Sequence, residues 1–245
     1  MVIDPATCER CLKCLPVCPV GAIRFERPTK QVVIDQDLCV ECEVCYRADV
    51  CPSGALQRVE LSWPRTLRAV FSNPLLIHKE TRIPGRGTEE MKTNDVTGRF
   101  KRGQIGIAVE LGRPGLSASF RDVEKVTKTC AAHGIQFEPQ NPVTHLLKDR
   151  IRGTILPEVL DERVLSAIVE FEIEQTAALV LLKDLQAISR ELDTVFSLNV
   201  TQLVEPDGSV PMLDMLRAEG LSPSPNGKNN MGLGQPAYDF GAEGE

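Results

Sequence analysis

From residue 104 onward, apolar and polar positions follow regular periods. Ile105, Ile107, Val109 and Leu111 alternate as one face of a strand. A helix then starts at Ser119, where Ser119-x-x-Asp122 has the form of a capping signal; Phe120, Val123, Val126 and Cys130 recur at helical spacing until Gly134 ends it. Ile135-Gln136-Phe137 restarts a strand. The same logic follows again: Leu165, Ala167, Val169, Phe171 and Ile173 alternate, and residues 175–192 place Ala178, Leu181, Leu185, Ile188 and Leu192 on one helix face. Phe196, Leu198 and Val200 form a closing strand. Two strand–helix–strand units in tandem predict an α+β domain over 104–205, a βαββαβ sandwich with two helices on one side of an antiparallel sheet. Residues 139–163, with three prolines, are assigned to no element.

The first 61 residues carry an internal repeat instead. Asp4-Pro5-Ala6-Thr7-Cys8 aligns with Asp35-Gln36-Asp37-Leu38-Cys39, and Cys18-Pro19-Val20-Gly21-Ala22-Ile23 aligns with Cys51-Pro52-Ser53-Gly54-Ala55-Leu56. A duplicated unit implies a pseudo-twofold domain, with a short helical turn after each Cys-Pro and then a strand such as Ile23-Arg24-Phe25 or Leu56–Val59. Residues 62–103 show no sustained period, and their Gly, Pro and charge read as a long connector. Residues 206–245 hold seven Gly and five Pro, the composition of an extended tail that folds only against something else.

Charge changes this picture in one place. The net charge of −6 argues against general nucleic-acid binding. It is unevenly spread, with nine Lys and Arg against four Asp and Glu in 65–102, and 12 against 21 from 103 onward. The connector residues Arg82, Arg86, Lys92, Arg99, Lys101 and Arg102 either dock an acidic partner or solvate a linker. No apolar run reaches the roughly 18 residues of a membrane helix, and Met1-Val2-Ile3-Asp4 does not read as a signal peptide, so the expected compartment is the cytoplasm.

Eight of the nine cysteines lie in the first 51 residues, as Cys8-x2-Cys11-x2-Cys14-x3-Cys18-Pro19 and Cys39-x2-Cys42-x2-Cys45-x5-Cys51-Pro52. Two-residue spacing is metal-ligand spacing, and disulfides are the weaker reading. A pair of structural zinc sites would also use four cysteines each, although such sites usually pair two Cys-x-x-Cys hooks and do not need a triple hook followed by Cys-Pro. Three closely spaced thiolates wrap three corners of a cubane. The ninth cysteine, Cys130, falls on an apolar helix face and reads as a small buried residue. His78, His133 and His145 are scattered, without ligand spacing.

Both runs resemble those of the bacterial two-cluster ferredoxins over residues 1–60, and the first has the spacing typical of that family. The resemblance implies two [4Fe–4S] clusters and crossed ligation, with Cys8, Cys11, Cys14 and Cys51 on one and Cys39, Cys42, Cys45 and Cys18 on the other. The five-residue gap before Cys51 departs from the pattern and leaves a three-iron cluster open there. The 104–205 pattern resembles, in topology alone, ACT-like small-molecule-binding modules. The chain carries no recognisable nucleotide, flavin or substrate motif. The expected function is therefore an electron-transfer subunit, non-catalytic itself, passing single electrons between a low-potential donor or acceptor and the catalytic subunit of a cytoplasmic anaerobic oxidoreductase complex. Two alternatives are a redox or metabolite sensor and an electron-donating accessory protein for sulfur transfer.

Overall fold

The structure is a computed structural model that describes residues 1–86, 98–112 and 115–224. In the N-terminal segment, β1 (Val2–Ile3) pairs antiparallel with β4 (Leu56–Gln57), and β2 (Ile23–Glu26) pairs with β3 (Gln31–Ile34). The pairing of β1 with β4 brings the start and the end of the repeat together. Its interior is small: Met1, Ala22, Ile23, Val32 and Leu56 pack with Cys39 and Cys45. The helical turns, Leu15–Val17 and α1 (Val44–Arg47), precede the Cys-Pro pairs and do not follow them as expected. After each pair the chain turns at a left-handed glycine, Gly21 (φ 65°) or Gly54 (φ 68°), and goes straight toward a strand. That conformation leaves no room to continue a helix.

The larger unit is built on a four-stranded antiparallel sheet. Its strands β5 (Gln104–Leu111), β7 (Gln136–Phe137), β11 (Ala167–Glu174) and β12 (Phe196–Thr201) lie in the spatial order β12-β5-β11-β7. Ile105, Ile107, Val109 and Leu111 of β5 are buried with Phe120, Val123 and Val126 of α3 (Phe120–Ala131) and with Ala178, Leu181 and Leu185 of α4 (Gln175–Ile188). The predicted alternation and helical spacing thus mark the residues that meet. Ser119 caps α3 as its motif predicts, accepting the Asp122 amide at 3.2 Å. Residues 139–163 supply a small hairpin of β8 (Leu147–Asp149) and β9 (Thr154–Ile155). At their end, β10 (Arg163–Val164) pairs with β6 (Ala118–Ser119).

Two segments are more structured than their sequence implies. Within the connector, α2 (Thr66–Ser72) sends Leu67 and Phe71 into the same core, with the Phe71 ring edge-on to Phe120 at 5.4 Å. Seven residues span two turns, too few for a period to show. In the stretch expected to be an extended tail, α5 (Pro211–Ala218) starts with a proline and buries Met212 and Leu216, four residues apart, against the core. Residues 225–245 of that stretch lie outside the described residues.

While Arg82 is exposed, the basic connector is partly paired within the molecule along its described length. It crosses the sheet face opposite the helices, where the Phe100 ring covers Gly106 so closely that a Cβ there would lie 2.6 Å from Cζ. Ile168 donates its amide to the Arg86 carbonyl, and the Arg86 guanidinium pairs with Glu110 at 2.7 Å. Arg99 pairs with Glu138, and Arg102 with Glu205 at 3.0 Å. Three of the connector's predicted docking residues thus pair with acidic residues of the unit that follows it. Lys92 lies outside the described residues.

Candidate iron–sulfur site

Each triple-cysteine hook is shaped by residues in the left-handed region. Arg10 (φ 58°) and Leu12 (φ 63°) stand between the cysteines of the first hook, and Glu41 (φ 54°) and Glu43 (φ 56°) take the same places in the second. Each such residue costs about 1–2 kcal/mol in a non-glycine side chain, so four at matched positions are a cost placed where the chain must curl around something. The fourth cysteine of each run is fixed differently. Ala22 donates its amide to Cys18 Sγ at 3.2 Å, and Ala55 donates to Cys51 Sγ at 3.2 Å. These bonds are pseudo-equivalent, one in each repeat.

The fold sorts the eight cysteines into two hollows. Cys8, Cys11, Cys14 and Cys51 line one, together with Ile3, Val32 and Leu56. Cys18, Cys39, Cys42 and Cys45 line the other, with Met1, Ile23 and Ile34. The last cysteine of each run therefore stands with the first three of the other run, the arrangement that the family resemblance implies. Each hollow encloses about 320 Å³ of non-atom space, counting the solvent at its mouth. Among the described residues, no three Cys, His, Asp or Glu side chains are grouped as ligands of a single metal ion would be. Four soft sulfur donors around a hollow suit a group of several metal atoms better than one ion.

The electrostatics of the thiols point the same way. Burial raises Cys14 above the ordinary thiol value, and charge on Cys11, Cys8 and Cys51 adds to the effect. Burial likewise raises Cys42, helped by Cys18 and Cys39, and pushes Cys45 up to about 11 with Cys42, Cys18 and Cys39 contributing. Cys39 is raised by burial and by Glu41. Cys51 lies below the ordinary value: burial works upward there, and bonds from the Ser53 hydroxyl and from the Leu56, Ala55 and Ser53 amides outweigh it. Mutually repelling thiolates in one hollow need positive charge at its centre, which a bound iron–sulfur group would supply.

The two hollows differ in exposure. Cys39, Cys42 and Cys45 are buried, whereas Cys11 is exposed and Cys8 and Cys14 are half-buried. Cys130 is fully buried in the larger unit, its thiol raised far above the ordinary value by burial, and it takes no part in either hollow. His78 is buried against Phe71 and bonded to the Gly85 carbonyl at 2.6 Å, a packing role. His133 pairs with Asp184. Trp63 is half exposed and lines neither hollow. The sequence reading missed the left-handed hook residues and the amide-to-sulfur bonds. Matched positions in the repeat could have pointed to the former, while the latter have no side-chain signature.

The family model for the 4Fe-4S dicluster domain matches residues 7–55. Ferredoxin-1 of Rhodobacter capsulatus is 52% identical over 44 residues, 18% of this chain and 63% of that protein. Ferredoxin of Alicyclobacillus acidocaldarius is 38% identical over 60 residues, 24% of this chain and 72% of that protein. A sulfite dehydrogenase subunit from Allochromatium vinosum is 44% identical over 54 residues, 21% of each chain. The chain thus spans less than two thirds of two of these three relatives. No solved structure matches it. Through the 4Fe-4S segment at its N-terminus, and by the share of the Alicyclobacillus protein that it covers, the chain belongs to the ferredoxin family.

Proposed function

We propose that the protein is an iron–sulfur subunit that relays single electrons through two [4Fe–4S] clusters to or from the catalytic subunit of a cytoplasmic anaerobic oxidoreductase complex. The observation that carries this reading is the sorting of eight thiols into two hollows, each completed by the last cysteine of the other run. Cys8, Cys11, Cys14 and Cys51 hold one cluster; Cys18, Cys39, Cys42 and Cys45 hold the other. Bound there, each cluster would supply one-electron redox chemistry. The hook backbones point the thiols inward, the Ala22 and Ala55 amides stabilise negative charge on Cys18 and Cys51, and the apolar walls limit water.

Membership of a complex is supported by length and by likeness. Most of the chain lies outside the matched segment, and one relative is by name a subunit of a dehydrogenase. Among the described residues no helix is long and apolar enough to cross a membrane. The larger unit, read as a ferredoxin-like sandwich, serves as the docking body.

Anaerobic purification with iron and sulfide analysis tests the core of the proposal. About eight irons per chain are expected, and two zincs without iron would sink it. Cys18→Ser should impair the cluster of Cys39, Cys42 and Cys45, read by EPR of the reduced protein. Damage confined to the other cluster refutes the assignment. Co-purification with an oxidoreductase tests the partner.

A further inference from the structure

Arg68 of α2 is buried, and it joins the two units at the edge of the second hollow. Its Nη1 donates to the carbonyl oxygens of Gln36 at 2.9 Å, Asp37 at 3.2 Å and Cys39 at 2.8 Å, the strap that leads into the second hook. Its Nε bonds the carboxylate of Glu162, a residue of the larger unit. The side chains are 7% and 13% exposed, so water screens neither charge well. Nearby, Leu165 donates its amide to Ser72 Oγ at 2.8 Å and holds α2 to the same unit. Beside it, Arg65 pairs with Glu41, which also holds the Met1 amino group, and donates at 3.0 Å to the same Gln36 carbonyl that Arg68 contacts.

The strap before Cys8 is built on the same aspartate turn, the Ala6 amide bonding to Asp4 at 3.0 Å as the Asp37 amide bonds to Asp35 at 3.0 Å. The three arginine-to-carbonyl bonds are added to that shared turn in the second strap. The two sites thus differ in the charges beside them: Met1 and Glu41 of the repeat stand at the second, and Arg68 and Glu162 are added from outside the repeat.

We propose that Arg68 and Glu162 are an opposed pair of buried charges that sets the reduction potential of the cluster held by Cys18, Cys39, Cys42 and Cys45, so that the larger unit tunes one redox centre of the two. This rests on the two-cluster reading above. One-electron reduction adds negative charge to the cluster, and net charge nearby is one determinant of its potential. A fixed guanidinium favours the reduced form, and a fixed carboxylate favours the oxidised form. Arg68 keeps three carbonyl contacts that do not depend on Glu162, so removing the carboxylate leaves the cation in place. Both are positioning residues.

The test is an anaerobic EPR-monitored redox titration of the full chain, with dithionite as reductant, on wild type, Arg68→Gln and Glu162→Gln. At a fixed potential near the midpoint, the ratio of reduced to oxidised cluster should fall several-fold in Arg68→Gln and rise several-fold in Glu162→Gln. A tenfold change is 59 mV for one electron. The larger movement should fall on one of the two waves. Shifts of the same sign in both variants, reversed shifts, or no shift overturn the inference, because loss of packing alone cannot move the potential in opposite directions. If Arg68→Gln assembles no clusters, Glu162→Gln decides: an upward shift supports the pair, and a flat or downward result overturns it. Fewer than eight irons in the wild type defeats the two-cluster reading itself, whereas eight irons with flat or same-sign shifts defeats this inference alone.

Discussion

In the first sixty residues the interior consists of Met1, Ala22, Ile23, Val32 and Leu56 around thiols, whereas between 104 and 201 whole strand and helix faces interlock. Ile105, Ile107, Val109, Leu111, Phe120, Val123 and Val126 are almost completely buried, and such packing supports itself. The smaller segment has short strands, four left-handed hook residues and thiols that repel one another once ionised. A segment of that size has a marginal core, so ligand binding becomes part of its folding free energy. One chain thus joins a unit held by its apolar packing to one held by what it binds.

Removing the iron should break the comparison open with the largest effect. After exhaustive anaerobic chelation, amides of residues 22–34 and 55–57 are expected to lose protection in hydrogen exchange, while β5 and β11 keep theirs. Equal loss in both regions would show that the larger unit leans on the clusters. Phe120→Ala should produce the next largest effect, a loss of about 3–5 kcal/mol in urea unfolding, with iron content per chain unchanged. Loss of iron in that variant would mean that the core of the larger unit also holds the hooks in place. Ser119→Ala, which removes the cap of α3, should cost about 1 kcal/mol and leave the iron signals as they are.

The same contrast governs what the sequence reveals. The alternation of Ile105 to Leu111, the helical spacing of Phe120, Val123 and Val126, and the Ser119 cap are local patterns, and the structure bears them out. The cysteine spacing gave the chemistry because ligand geometry is written in short intervals. Elements that depend on distant partners were not legible. Helix α2 is defined by Leu67 and Phe71 meeting a core some fifty residues on, and α5 by Met212 and Leu216 reaching the same core. The fates of Arg86, Arg99 and Arg102 depend on Glu110, Glu138 and Glu205, which no spacing connects to them. Arg68 is the extreme case, since its role exists only where two units and a hook meet.

The path of the connector also bears on how the molecule can be taken apart. A fragment cut to begin at Gln104, where the regular pattern starts, would lack Leu67 and Phe71 from its own interior and the Phe100 ring that lies on Gly106. It would present bare sheet to water, a surface prone to aggregation. An excision that respects the packing starts ahead of α2, so that Leu67, Phe71 and Phe100 travel with the larger unit.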